Sequence, residues 1–225
     1  MCGRYSQSHS GEAIAAAFQL ETAPQLTPRY NIAPTQSVSV VLAGEAGREH
    51  AFMRWGLIPS WAKDAAIGNR LINARCETAH EKPSFRSAFR RRRCLVVADG
   101  FYEWHRAKER QTKQPYYFHL RDRPPFAFAG LWEQWQNDDQ TIHSCTLLTT
   151  APNELLATVH NRMPVILPAD AYDPWLDPQE QRVEVLQPLL TPYAAAEMQG
   201  YPVSTQVNNP SHETAACIEP LDLQE

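Results

Sequence analysis

Hydrophobic and polar positions along this chain change period every few residues, the pattern of many short elements rather than a few long ones. Residues 10–19 (SGEAIAAAFQ) offer a capping serine, an early glutamate and an alanine-rich body, which predicts a short helix. Residues 28–34 (PRYNIAP) are bounded by prolines and read as extended or turned. Residues 37–42 alternate and are β-branched, a strand, with residues 50–57 as its hairpin partner across a Gly/Glu turn. An aromatic loop follows at 55–61. Residues 73–78 lead into a helix expected over 83–93, where Phe85 and Phe89 share one face. Strands are expected at 94–98, 101–104, 115–120, 126–131, 144–150 and 165–167. Helical turns are expected at 153–159, 169–176 and 182–190, then a last strand over 202–207. No repeat or low-complexity linker interrupts the series. The pattern predicts one α+β domain over residues 1–225, mainly antiparallel strands with short peripheral helices.

Composition adjusts this picture in three ways. Proline (18) outnumbers glycine (9), which suits rigid, irregular connections. The five cysteines are scattered and form no C-x-x-C pair, so neither a disulfide framework nor a metal site is expected. With no membrane-length apolar run and no N-terminal signal pattern, the expected setting is a reducing cytoplasm, away from membranes. The net charge of −4 conceals an asymmetry: residues 1–130 hold 19 Lys/Arg against 11 Asp/Glu, and residues 131–225 hold 2 against 14. A basic portion of this kind points to a polyanionic partner, unless folding interleaves the two sets of charges. Phosphate-loop, dinucleotide and H-e-x-x-H patterns are absent, so no cofactor is expected and ordinary side chains must supply the chemistry.

Four positions stand out for that chemistry. Cys2 becomes the N-terminus once Met1 is trimmed, and small second residues favour that trimming. The product is a 1,2-aminothiol whose amine and thiol have ordinary pKa values of about 8 and about 8.5. An amine condenses with an aldehyde to an imine, and the adjacent thiol then closes a five-membered thiazolidine. The alternative is a small buried cysteine with no such role. Glu103 lies between two aromatics after an Asp-Gly turn: a desolvated proton-transfer group, or a strand-edge surface carboxylate. His160 ends a predicted helix, as an acid/base or a capping side chain. Asn73 and Arg75 lie in an extended stretch and are expected on opposite faces if it is a strand, whereas a non-regular backbone would let both face one groove. Arg4, Arg29, Arg75, Arg86 and Arg162 are candidates for phosphate contact, and Trp55, Trp61 and Trp104 for stacking on unpaired bases or for the core.

Six stretches, in this order, resemble the SOS-response-associated peptidase family nearly end to end. They are MCGR at 1–4, RYNIAP at 29–34, WGLIP at 55–59, NARCET at 73–78, DGFYEW at 99–104 and HNRMP at 160–164. The resemblance implies a sensor and shield of abasic sites in single-stranded DNA, linked covalently through the N-terminal cysteine. It implies Cys2 as nucleophile with Asn73, Glu103 and His160 around it. Arg4, Asn31, Pro34, Trp61, Arg75, Arg86, Trp104 and Arg162 are the expected DNA contacts, on a monomer. The "peptidase" of the name fits removal of the residue ahead of Cys2, and a lyase activity on the same lesion is a further expectation. Asn161 stands where the family often has aspartate, a change expected to tune rather than abolish activity. Two other classes stay open: a glutamine amidohydrolase with an N-terminal cysteine nucleophile, and a single-strand-binding module in which Cys2 plays no part.

Overall fold

A computed structural model of the chain describes residues 2–106 and 113–221; Met1, whose trimming the sequence suggests, lies outside them. The first half runs β1 (Tyr5–Gln7), α1 (Gly11–Phe18), β2 (Arg29–Ile32), β3 (Ser37–Ala43), β4 (Arg48–Trp55) and β5 (Asn73–Arg75). Two short helices follow, α2 (Cys76–Ala79) and α3 (Arg86–Arg91), then β6 (Arg93–Ala98), β7 (Gly100–His105) and β8 (Gln114–Leu120). The long strands β9 (Phe126–Gln136) and β10 (Thr141–Thr150) precede α4 (Glu154–Ala157), β11 (Met163–Pro164) and β12 (Ile166–Leu167). The last named elements are α5 (Tyr172–Leu176), α6 (Val183–Leu186) and β13 (Met198–Pro202).

These strands form two sheets, and the α+β expectation of mainly antiparallel strands with short helices holds. The larger sheet has the order β11-β10-β4-β3-β6-β9-β12, and β9 also pairs with β10, which closes a barrel. Its parallel pairings are β10 with β4 and β10 with β5. The smaller sheet has the order β13-β8-β7-β1-β2.

Side-chain alternation sorts the core into three layers. Along β6, Leu95 and Val97 face a cluster with Ile14, Phe89 and Trp175 of the covering helices, while Cys94, Val96 and Ala98 face the barrel interior. That interior cluster takes in Cys2, Tyr5, Phe101 and Phe118, so the smaller sheet packs one face on the barrel. Its other face, through Tyr102 and Tyr117, meets Val203, Val207 and Cys217 of the C-terminal segment.

Local signals placed most elements within a few residues. Ser10 does cap α1, its hydroxyl accepting from Ala13 N at 3.3 Å, and Gln19 ends it in the left-handed conformation. Three expectations need correcting. The helix expected over 83–93 begins only at Arg86, and Arg93 opens β6 instead. Arg93 is buried and donates to the carbonyls of Phe89, Arg90, Asp177, Glu180 and Trp175, so a position read as the end of a cationic helix terminus is a structural pin. The last strand is Met198–Pro202 rather than 202–207, where Ser204 caps a 3₁₀ turn by accepting from Gln206 N. Gly200 masks the strand in sequence, yet a β-carbon there would meet the Phe118 ring at 2.4 Å. Trp55, where the expected strand 50–57 and the aromatic loop 55–61 overlap, ends β4 in the core, in line with the strand and core readings.

The charge asymmetry is partly cancelled. Arg29–Glu213, Arg48–Asp173 and Arg92–Glu133 are ion pairs between the basic and the acidic portions. Arg70, Arg75, Arg86, Arg90 and Arg91 stay exposed.

Candidate active site

The N-terminal residues are held by the smaller sheet. β1 sits between β2 and β7, and Tyr102 N donates to Arg4 O at 3.0 Å, so the ladder continues back toward Cys2. Cys2 is fully buried in the interior cluster, its thiol donating weakly to Arg4 O at 3.7 Å. Burial, and then the charge of Glu103, push that thiol well above its ordinary pKa. It is a protonated thiol rather than a ready thiolate.

Glu103 reaches the same place by strand period. Phe101 faces the interior with Cys2, Tyr102 faces the C-terminal layer, and Glu103 returns to the Phe101 side. It is 3% exposed, which removes the surface-carboxylate alternative. Desolvation raises its pKa, while nearby positive charge and hydrogen bonds pull the other way. A raised pKa is what proton transfer asks of a carboxyl.

β10 supplies the other two groups. It pairs with β5 in parallel, Leu147 opposite Asn73, and Asn73 Nδ2 donates to Cys2 O at 2.7 Å. That bond ties the larger sheet to the N-terminus lying on the smaller one. Asn73 Oδ1 is buried with no hydrogen-bond partner among the described residues. The stretch is a strand, and the opposite faces expected for Asn73 and Arg75 are corrected: two apart, they share one face, with buried Ala74 on the other. Further along, β10 pairs with β11, Thr150 opposite Met163, which anchors the loop after α4. Asn153 caps α4 through Leu156 N at 2.9 Å, and His160 N closes on Leu156 O at 2.8 Å. His160 Nδ1 lies 3.1 Å from Arg162 N and 3.3 Å from Arg162 O; the shorter contact favours Nδ1 as the acceptor, with the proton of the neutral ring on Nε2. Cys2, Asn73, Glu103 and His160 are thus brought together from four separate segments.

The eight expected DNA contacts divide. Trp61 (59% exposed), Arg75 and Arg86 are available at the surface, and Pro34 is half-buried beside Thr35, whose φ of 74° marks a tight turn. Arg4, Asn31 and Trp104 are bound to one C-terminal stretch. Asn31 is fully buried and donates to the carbonyls of Val207, Asn209 and His212 while accepting from Arg4 Nη1 at 2.8 Å. Arg4 also donates to Val207 O at 2.7 Å and lies 6.0 Å from the Trp104 ring centroid, and Trp104 Nε1 donates to Asn208 Oδ1 at 2.7 Å. Arg162 forks onto Glu77 at 2.6 and 2.9 Å and also donates to Thr149 O at 2.5 Å. Of the remaining candidates, Trp55 donates to Ile72 O at 2.8 Å from the core, and Arg29 is paired with Glu213. Glu77, Asn208 and Glu213 hold this site without having been singled out from sequence. Glu77 alone carried a signal, since it stands inside the stretch at 73–78.

Fold and site together define an α+β protein that buries its second residue between two sheets, beside a carboxyl, a histidine and an asparagine. The family model for SOS response associated peptidase (SRAP) matches residues 1–210, and the chain belongs to that family. It is 41% identical over 223 residues to the abasic site processing protein YoqW of Bacillus subtilis, covering 97% of this chain and 99% of that protein. It is 32% identical to the abasic site processing protein HMCES of Xenopus tropicalis, covering 87% of this chain and 67% of the relative. A crystal structure of a protein from Bacteroides thetaiotaomicron superposes with a TM-score of 0.87 at 26% identity, covering 98% of this chain and all of the other.

Proposed function

We propose that this chain, acting as one monomeric unit with Met1 removed, captures abasic sites in single-stranded DNA as a covalent thiazolidine at Cys2. Its relatives named as abasic site processing proteins support the lesion class. One observation supports the chemistry above all: Asn73 fixes the Cys2 carbonyl at 2.7 Å next to a buried carboxyl whose pKa is raised.

An abasic sugar is a closed hemiacetal in equilibrium with an aldehyde. His160 gives a proton from Nε2 to the ring oxygen, the C1 hydroxyl passes its own to solvent water, and the ring opens to the aldehyde while solvent returns a proton to the imidazole. The Cys2 amine attacks C1, forming a C–N bond and a carbinolamine. Glu103 takes a proton from the nitrogen and delivers one to the leaving hydroxyl, so water departs and an imine remains. The thiol sulfur then adds to the imine carbon, and its proton passes to nitrogen as the ring closes. One water is released overall, and nothing is oxidised or reduced. The raised pKa of the thiol suits this order: sulfur stays protonated until the basic nitrogen beside it can accept the proton. Removal of Met1 is the peptidase step, since the blocked residue has no amine. A free imine that is not captured by sulfur opens the way to β-elimination, a lyase side reaction.

Denaturing electrophoresis of the processed protein with a single-stranded abasic oligonucleotide tests this reading. Wild type should give a shifted band without any reductant. Cys2→Ala keeps an amine and should give a band only after borohydride; a borohydride-independent band from Cys2→Ala rules the thiazolidine out.

A further inference from the structure

We propose that Glu77 is a positioning residue for His160, acting through Arg162. The two carboxylate oxygens of Glu77 accept from Nη1 and Nη2 of Arg162 at 2.6 and 2.9 Å, the planar fork that a lysine cannot make. Nη2 also donates to Thr149 O at 2.5 Å, so the guanidinium is fixed against the edge of β10 rather than swinging in solvent. The Arg162 side chain is 16% exposed and that of Glu77 48%, so the two-pronged geometry and the Thr149 anchor, rather than burial of both partners, separate this pair from the mobile surface ion pairs that contribute little. The Arg162 hydrogen bonds hold the Glu77 carboxyl below the usual range, so the fork is fully charged at neutral pH.

The consequence lies on the backbone of the same arginine. Arg162 N lies 3.1 Å from His160 Nδ1, closer than the 3.3 Å between that nitrogen and Arg162 O, so the shorter contact sets the ring plane and favours the tautomer with Nδ1 as acceptor. Its direction depends on where the 160–162 turn sits over β10. On one side β11 pins the turn, Thr150 opposite Met163; on the other the pin is the side chain of Arg162 itself. Glu77 lies in the first turn of α2, directly after β5, the strand that presents Asn73 to Cys2. One short segment therefore fixes the Cys2 carbonyl through Asn73 and the imidazole through Glu77. Release of the fork frees Arg162 toward phosphates and leaves His160 free to take either tautomer.

This inference rests on reading His160 as the group that opens the abasic sugar, and the test separates the two. Glu77→Gln keeps size and weakens the fork, Arg162→Lys removes it from the other side, and Glu77→Asp keeps the charge on a shorter stem. The imidazole ¹⁵N spectrum of His160 in mildly alkaline buffer, without DNA, should show a single Nε2–H tautomer in wild type and a mixture in Glu77→Gln and Arg162→Lys, with Glu77→Asp intermediate. Adduct formation on saturating single-stranded abasic oligonucleotide should slow about tenfold in the same two variants, with no weakening of half-saturation in Glu77→Gln. An unchanged His160 spectrum in both variants overturns the proposal. So does a loss confined to half-saturation, which would make Glu77 part of DNA binding. A tautomer shift in a protein whose wild type forms no adduct would sink the function reading while leaving the positioning intact.

Discussion

At the scale of single residues, the site turns on a carboxyl that is expensive to bury. Glu103→Gln keeps the shape and removes the proton carrier, so adduct formation should slow by about 100-fold or more, on the abasic oligonucleotide and on a small open-chain aldehyde alike. His160→Ala should be slow only on the abasic sugar, because the simple aldehyde has no ring to open; equal impairment on both substrates would move His160 to the amine or the closure step. Stability should show the cost of Glu103 directly. Its folded pKa is raised by desolvation above the unfolded value of about 4.3. Below that value both states hold the proton and the linkage vanishes. As pH climbs from there through the raised folded value, the unfolded chain has released its proton first, and stability is lost. Glu103→Gln should therefore gain on wild type in melting temperature as pH rises through this window and level off above it. A gap independent of pH would mean that the carboxyl is not desolvated.

Among the elements, the C-terminal stretch behaves as a wall of the site rather than a tail. Asn31 on β2 donates its amide hydrogens to the carbonyls of that stretch, and its amide oxygen accepts from Arg4. Glu213 returns the favour by accepting from the backbone N–H groups of Tyr30 and Asn31 at 2.9 and 2.7 Å. Asn31→Leu removes one donor from each of three carbonyls that keep another, Arg4 Nη1 on Val207, His212 N on Asn209 and Cys217 Sγ on His212, and should cost about 0.5–1.5 kcal/mol for each hydrogen bond lost, read by urea denaturation; a change within experimental error would show that water replaces the amide. This is also where sequence was least informative. The stretch at 29–34 could be read as extended and important, but its partners lie far along the chain in residues 207–213, beyond any local pattern. Trp55 and Trp61 differ for the same reason. Both stand in one aromatic run, and only the distant Ile72 carbonyl that receives the Trp55 indole separates core from surface. Capping serines, strand alternation and turn residues were legible because each acts within a few positions. The parallel pairing of β5 with β10, which brings Asn73 to the site, was not.

For the whole molecule, the cross-portion ion pairs leave a smaller positive surface than the raw charge count suggested, centred on residues such as Arg75 and Arg86. Binding to an intact single strand should weaken steeply with salt, and Arg75→Ala should lower affinity by about 1 kcal/mol or more and reduce the salt slope by roughly 0.7, the value for one lost contact to a single strand. An unchanged slope would remove Arg75 from the phosphate path. Two sheets, the loop after α4 and the C-terminal stretch all converge on residue 2, and the central claim is that this residue, freed of Met1, bonds to the lesion. Intact mass under denaturing conditions tests it most directly. Protein incubated with a single-stranded abasic oligonucleotide, without reductant, should lack the initiator methionine and appear at the sum of protein and oligonucleotide masses less one water. Fully processed protein that remains at its own mass beside unmodified abasic DNA would contradict the account.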